Sequence, residues 1–204
     1  MAIISTRPSV GLIKTRWRSQ KAPRTLAERA GVIGANIWKI ALEIYRHLER
    51  DGFRFGSDEQ VTLVITEHIA FLVQATDRAV YGRLDETDRA TLINAVAAHL
   101  ATTIENNQLD LFGPGDYRAP FIKTINARLE DYAGFQYVDG EPGYACVRYF
   151  GARVSDAMAS SDNKWVLEQM MEVESPEMVR LVVKLADETV GAIQADAARA
   201  AARD

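Results

Sequence analysis

One stretch of the sequence, from Ser57 to Leu84, is apolar around most of its circumference and constrains the fold more than any other. Ser57 and Gln60 have the spacing of a helix capping box. Asp58 and Glu59 follow the cap and place negative charge at the positive end of the helix dipole. Because a helix that is apolar on nearly all sides is normally covered by other helices, the sequence predicts an all-α bundle around this central helix.

Polar residues are few on the predicted central helix, and they argue against a membrane span. Gln60, Glu67, Gln74 and Arg78 leave only a thin polar stripe. Polar residues such as Glu67 and His68 also interrupt any run of about 18 apolar residues, the length that a membrane helix needs. The β-branched run at 61–66 would also suit a buried strand, but the length of the stretch and its cap favour a helix.

Composition indicates one globular domain in a reducing compartment. The chain has 204 residues, of which 48% are hydrophobic and 25% are charged, as in ordinary globular proteins. Cys146 is the single cysteine, so no intrachain disulfide can form. The N-terminus has no continuous apolar segment of the kind found in secretory signals. We therefore expect a cytoplasmic protein that is not associated with a membrane.

Charge is distributed unevenly along the chain. Residues 1–29 contain seven basic residues and one acidic residue, for a net charge of +6. The remainder contains 17 basic and 27 acidic residues, for a net charge of −10. Residues 1–24 include Pro8, Gly11 and Pro23 and have no sustained periodicity, which predicts an extended basic arm. The helical domain is then expected to occupy residues 25–204.

Capping residues predict where the helices of this domain begin. About six helices are expected, with these proposed starts: Thr25 (to about Asp51), Ser57, Asp85 (to about Asn107), Asp116, Asp162 and Ser175. Pro176 suits the first helical position after a cap at Ser175. Within the first helix, Ile33, Ile37, Ile40, Ala41, Ile44 and Leu48 form the predicted buried stripe, and Trp38, Leu42 and Tyr45 border it.

Residues 135–150 are compatible with two structures. Aromatic residues and valine flank a turn-forming segment at 139–143, which is typical of a β-hairpin. Alternatively, a helix begins near Tyr144, because Val147, Phe150 and Val154 keep helical spacing. The helix is the favoured interpretation.

A metal site is the catalytic possibility that the sequence raises. His68 lies on the apolar face of the central helix, next to Glu67, and bundle metal sites are built from such histidines with carboxylates on facing helices. Those sites usually carry Glu-x-x-His, which this sequence lacks, so a hydrogen-bonded core histidine is the favoured interpretation. No nucleophile or phosphate-binding motif is present, so the sequence identifies no catalytic residue, and we predict no cofactor and no metal, with His68 and Glu67 as the weak metal candidates.

Two features point instead to binding of another macromolecule. Lys14, Arg16 and Arg18 surround Trp17 in the arm, which suits either an acidic protein surface or a nucleic acid. The acidic remainder of the chain would repel a duplex, so protein is the favoured partner.

The second feature is methionine, whose flexible side chain adapts to partners. Apart from the initiator, every methionine lies between 158 and 178, and Met170 and Met171 are candidate contacts. The leading expectation is a non-enzymatic interaction or assembly protein that forms a homo-oligomer. The alternatives are a nucleic-acid-binding protein that uses the arm and a helical-bundle metalloenzyme around His68.

Overall fold

A computed structural model describes residues 24–138, 140–158 and 165–202, and the predicted all-α bundle is confirmed. Its helices are α1 (Leu26–Arg50), α2 (Asp58–Val80), α3 (Glu86–Phe112), α4 (Arg118–Ala133), α5 (Tyr144–Met158), α6 (Val166–Gln169) and α7 (Ser175–Ala201). A π-helical turn, Met170–Glu174, joins α6 to α7, so these ranges form six helical rods. Residues 1–23 of the predicted arm and the proposed helix start at Asp162 lie outside the described residues.

Helix α2 is the centre of the bundle, as the sequence predicts. Every residue from Val64 to Thr76 is buried, because α2 contacts α1, α3, α4, α5 and α7. The Ser57 hydroxyl accepts a hydrogen bond from the Gln60 amide nitrogen at 3.3 Å, which confirms the N-cap. The Gln60 side chain accepts from the amide nitrogen of Gly56 instead of that of Ser57, so the capping box is only half formed.

The predicted polar stripe on α2 is largely covered. The sequence predicts Glu67 and Gln74 on a thin polar stripe outside the core face, but both residues are buried. The reason is that α4 packs over this side of α2 and supplies a basic partner, Arg128, to Glu67. Within the described ranges, no helix combines the length and apolar content needed to cross a membrane.

Helices α1 and α3 pack closely against each other beside α2. The capping box at the start of α1 is confirmed, since Thr25 and Glu28 each accept from the other's amide nitrogen. Gly34 lies against His99, and a β-carbon at Gly34 would come within 2.6 Å of the imidazole Cδ2 atom. Gly52, just after α1, has a φ of 90° that favours glycine and ends the helix as predicted.

Asp85 caps α3 as predicted, whereas the N-cap position of α4 is Tyr117 and the predicted cap, Asp116, lies one residue before it. The Asp85 carboxylate accepts from the Asp88 amide nitrogen at 2.8 Å, and the Asp116 carboxylate accepts from that of Ala119 at 3.2 Å. Helix α3 is longer than predicted and continues to Phe112, where Gly113 terminates it with a φ of 81°.

Both interpretations of residues 135–150 are partly correct. Tyr137–Val138 and Glu141–Pro142 pair as a short antiparallel hairpin, β1 and β2. Helix α5 then begins at Tyr144, as favoured. The hairpin and the helix both form because the hairpin pairs only four residues, and all four precede Tyr144.

The predicted cap at Ser175 is wrong. Ser175 lies inside a continuous helix with a φ of −63° and a ψ of −38°, and its hydroxyl donates back to the Met171 carbonyl. Pro176 has no N–H to donate, and its ring crowds the carbonyl one turn earlier. The wider π-helical turn before Pro176, in which the Ser175 amide donates to the Met170 carbonyl, accommodates the ring without a break.

Candidate functional site

His68, the candidate metal ligand, lies in the closed core. Its Nδ1 atom is 2.7 Å from the Val64 carbonyl, which can only accept, so Nδ1 carries the hydrogen. Nε2 is buried and has no hydrogen-bond partner among the described residues, and the ring packs edge-on against Phe150 with centroids 5.3 Å apart. Burial lowers the pKa of His68 to about 4, so the imidazole is neutral at pH 7.

Glu67, the second candidate ligand, is engaged elsewhere. Its two carboxylate oxygens accept from Nε and Nη2 of Arg128 at 2.7 and 2.8 Å. The hydrogen bonds to Glu67 hold the pKa of Arg128 above its usual range. Across the described part of the chain, no three histidine, cysteine, aspartate or glutamate side chains cluster in a way that could hold a metal ion.

Of the predicted partner-binding residues, the structure describes Met170 and Met171. Met170 is fully buried in the core together with Met158 and Met178. Met171 is half-buried and lines a cavity of about 160 Å³ next to Pro176. The other four candidates, Lys14, Arg16, Trp17 and Arg18, lie outside the described residues.

An open apolar groove, about 220 Å³ in volume, lies where α1, α2 and α3 meet. We call it the apolar groove; it is lined by Trp38, Leu42, Tyr45, Asp58, Val61, Thr62, Ile65, Ile104, Asn107, Gln108 and Leu111. Leu111 is 60% exposed, although it is large and apolar. Part of this groove could be anticipated, because Trp38, Leu42 and Tyr45 border the predicted buried stripe of α1 without belonging to it.

Carboxylates lie at one end of the apolar groove. A neighbouring hollow of about 500 Å³ shares Tyr45, Asp58 and Val61 with the groove and is also lined by Glu49 and Arg54. Tyr45 packs edge-on against Phe55 with centroids 5.0 Å apart. Burial and a hydrogen bond to Glu49 raise the pKa of Tyr45 to about 12, so it stays a neutral phenol. The arrangement suits a segment that carries both apolar and basic side chains.

Comparisons of the chain with protein-family models, curated proteins and solved structures find no match. The features that can indicate a function are therefore the grooves, cavities and charges of this chain.

Proposed function

We propose that the protein is a non-enzymatic interaction and assembly protein, a cytoplasmic homo-oligomer in which the arm of one copy binds the apolar groove of another. The observation that carries this proposal is the apolar groove itself, with Leu111 exposed on one wall and Asp58 at its acidic end. Covering apolar surface is favourable by about 25 cal/mol per Å². A groove of this kind therefore gains stability when a partner segment fills it.

The arm has the chemistry that complements the groove. Residues 1–23 contain five basic residues and no acidic residue. Side chains of an extended segment alternate between two faces. In an extended arm, Ile13 and Trp17 would share one face, and Lys14, Arg16 and Arg18 would share the other. The apolar face suits the groove, and the basic face suits the carboxylates beside it.

Charge also favours an arm-mediated assembly. Residues 24–204 hold 19 of the 24 basic residues and all 28 acidic residues, for a net charge of −9. Two such bodies repel each other at long range. An arm with a charge of +5 placed between them offsets that repulsion and speeds their encounter.

Light scattering at two protein concentrations tests the assembly. We expect the full chain to be an oligomer whose mean mass falls on dilution, and the variant that lacks residues 1–23 to be a monomer. Leu111→Arg should also give a monomer, because it puts a charge in the groove. Leu63→Arg is the matched control, since Leu63 is 56% exposed on α2 but does not line the groove.

A labelled peptide of residues 7–21 tests the contact directly by fluorescence anisotropy. It should bind the arm-deleted protein, and Leu111→Arg should weaken that binding by about tenfold, or 1.4 kcal/mol. Asp58→Lys should weaken it most at low salt, since opposite charges would become like charges.

Three results would contradict the proposal. A strict monomer that deletion of the arm does not change would exclude assembly through the arm. A monomer that binds the peptide only after the arm is deleted would place the arm on its own chain. Binding of the full chain to nucleic acid, with steep salt dependence and no peptide binding, would favour the nucleic-acid alternative.

A further inference from the structure

A second cavity, about 370 Å³ in volume, lies between α2, α3 and α4 and shares no lining residue with the apolar groove. We propose that this cavity binds a small organic monocarboxylate, with its carboxylate near Arg78 and its apolar body against α3 and α4. The proposal is independent of the assembly function. The volume is within the range of about 300–1,000 Å³ that is usual for small-molecule sites.

Gln74 provides the first reason to expect a ligand. Its side chain is only 4% exposed and lines the cavity, yet its amide makes no hydrogen bond to the described residues. The amide atoms are accessible from the cavity, so water or a ligand can reach them. A polar group bound in the cavity would supply a hydrogen-bond partner, since the amide can both donate and accept.

Arg78 provides the second reason, because its charge is not balanced by a carboxylate. Its Nη2 atom donates to the Ala133 carbonyl at 3.2 Å, and the guanidinium lies 5.5 Å from the centre of the Tyr137 ring. Its Nε atom is buried and has no acceptor. No carboxylate of the described residues forms an ion pair with Arg78, so an anionic ligand would be the missing partner.

The charges around the cavity favour a monoanion. Arg89 also lines the cavity, but Asp77 and Glu86 already pair with it. Arg78 is therefore the arginine on the cavity wall that no carboxylate of the described residues pairs with, so it offers a single positive charge. One positive charge matches a carboxylate, whereas a phosphate monoester carries close to two negative charges at pH 7.

Apolar side chains cover part of the cavity, alongside Tyr81 and Asn94. Ile93 on α3 and Leu129 on α4 line it, together with the small side chains of Ala90 and Ala133. Small pockets bind best when a few polar groups orient a ligand whose remaining surface is apolar. The ligand class is therefore a compact carboxylic acid with an aromatic or branched aliphatic body.

Isothermal titration calorimetry of the full chain tests the site with benzoate, phenylacetate and hexanoate as probes, each compared with its neutral amide. We expect saturable binding of at least one carboxylate, with its amide about tenfold weaker because the charge-assisted contact is lost. Arg78→Gln and Gln74→Leu should each weaken binding by about tenfold. Arg83→Gln is the matched control, because Arg83 lies outside the cavity and pairs with Asp187.

Circular dichroism of each variant separates loss of binding from loss of fold. The proposal is overturned if none of the three carboxylates binds saturably, or if the amides bind as well as the acids. It is also overturned if folded Gln74→Leu and Arg78→Gln proteins both retain the affinity of the unmodified chain. None of these results depends on the oligomeric state, so the assembly proposal can fail or hold separately.

Discussion

Replacement of His68 by leucine should make the stability of the protein less sensitive to acid. Burial lowers the pKa of His68 from 6.5 to about 4 in the folded protein, whereas the unfolded chain exposes the imidazole to water. Between these values the unfolded chain binds a proton that the folded protein does not bind. The free energy of unfolding is therefore unaffected by His68 above pH 6.5 and falls as the pH drops towards 4.

The expected size of the effect follows from the two pKa values. Their difference, 6.5 minus about 4, corresponds to about 3 kcal/mol at about 1.4 kcal/mol for each tenfold change in proton affinity. Small domains are stable by about 5–15 kcal/mol, so this loss is a large fraction of the total. Leucine fills a similar volume, cannot bind a proton and removes the buried Nε2 atom that has no partner.

Urea denaturation at several pH values between 7 and 4 measures the effect. Carboxylates titrate in the same range, so the informative quantity is the difference between the unmodified protein and His68→Leu at each pH. Phe150→Leu is the control for packing, because it removes the ring that lies edge-on against His68 but no titratable group. It should lower the free energy of unfolding by a similar amount at every pH.

Parallel stability curves for the unmodified protein and His68→Leu would refute the reasoning. They would mean that water or a charged partner reaches the imidazole in the folded protein. That result would also reopen the possibility of chemistry at His68, because a solvated histidine beside α5 could take part in proton transfer.

Two further predictions concern helix packing and capping, and urea denaturation checks both. Gly151→Ala should lower the free energy of unfolding by about 1–3 kcal/mol, because the new β-carbon would lie 2.8 Å from Cδ1 and 3.2 Å from the carbonyl oxygen of Leu167. Gly191→Ala should raise the free energy of unfolding by about 1 kcal/mol, because no atom lies within 4 Å of the new β-carbon. Equal effects of the two substitutions would contradict the close packing of Gly151 against Leu167. Ser57→Ala should cost about 1 kcal/mol as a lost cap, and Ser175→Ala should cost clearly less, because Ser175 lies inside a helix. A larger loss for Ser175→Ala would show that α7 begins with a cap.

The helices could be predicted because their signals are local. In α1, the 3.6-residue spacing of Ile33, Ile37 and Ala41 identifies the buried face, and the Thr25–Glu28 pair identifies the start. These patterns need no knowledge of the neighbouring elements. The same reasoning failed at Ser175, where the sequence has a plausible cap and a proline but the chain continues as a helix. The local pattern of a cap cannot exclude a π-helical turn that accommodates the same proline.

The apolar groove could be predicted only in part, because residues from three separate helices form it. The border positions Trp38 and Leu42 indicated a half-buried edge of α1. Leu111 was beyond the predicted end of α3 near Asn107, so its exposed position on the groove wall could not be anticipated. A groove depends on which edges meet, and that information lies in tertiary contacts.

Polar side chains on the buried helix α2 need a hydrogen-bond partner or must stay neutral. Glu67, His68 and Gln74 meet this requirement in three different ways. Glu67 is matched by Arg128 from α4. His68 is neutral at pH 7, because burial lowers its pKa, and its ring packs edge-on against Phe150. Gln74 differs from both, because its amide has no hydrogen-bond partner among the described residues and lines the cavity that we propose binds a carboxylate. Glu67 is thus matched within the protein, whereas Gln74 lies on the wall of the same cavity as Arg78, with which no carboxylate of the described residues pairs, and it is this difference that the titration with carboxylates tests.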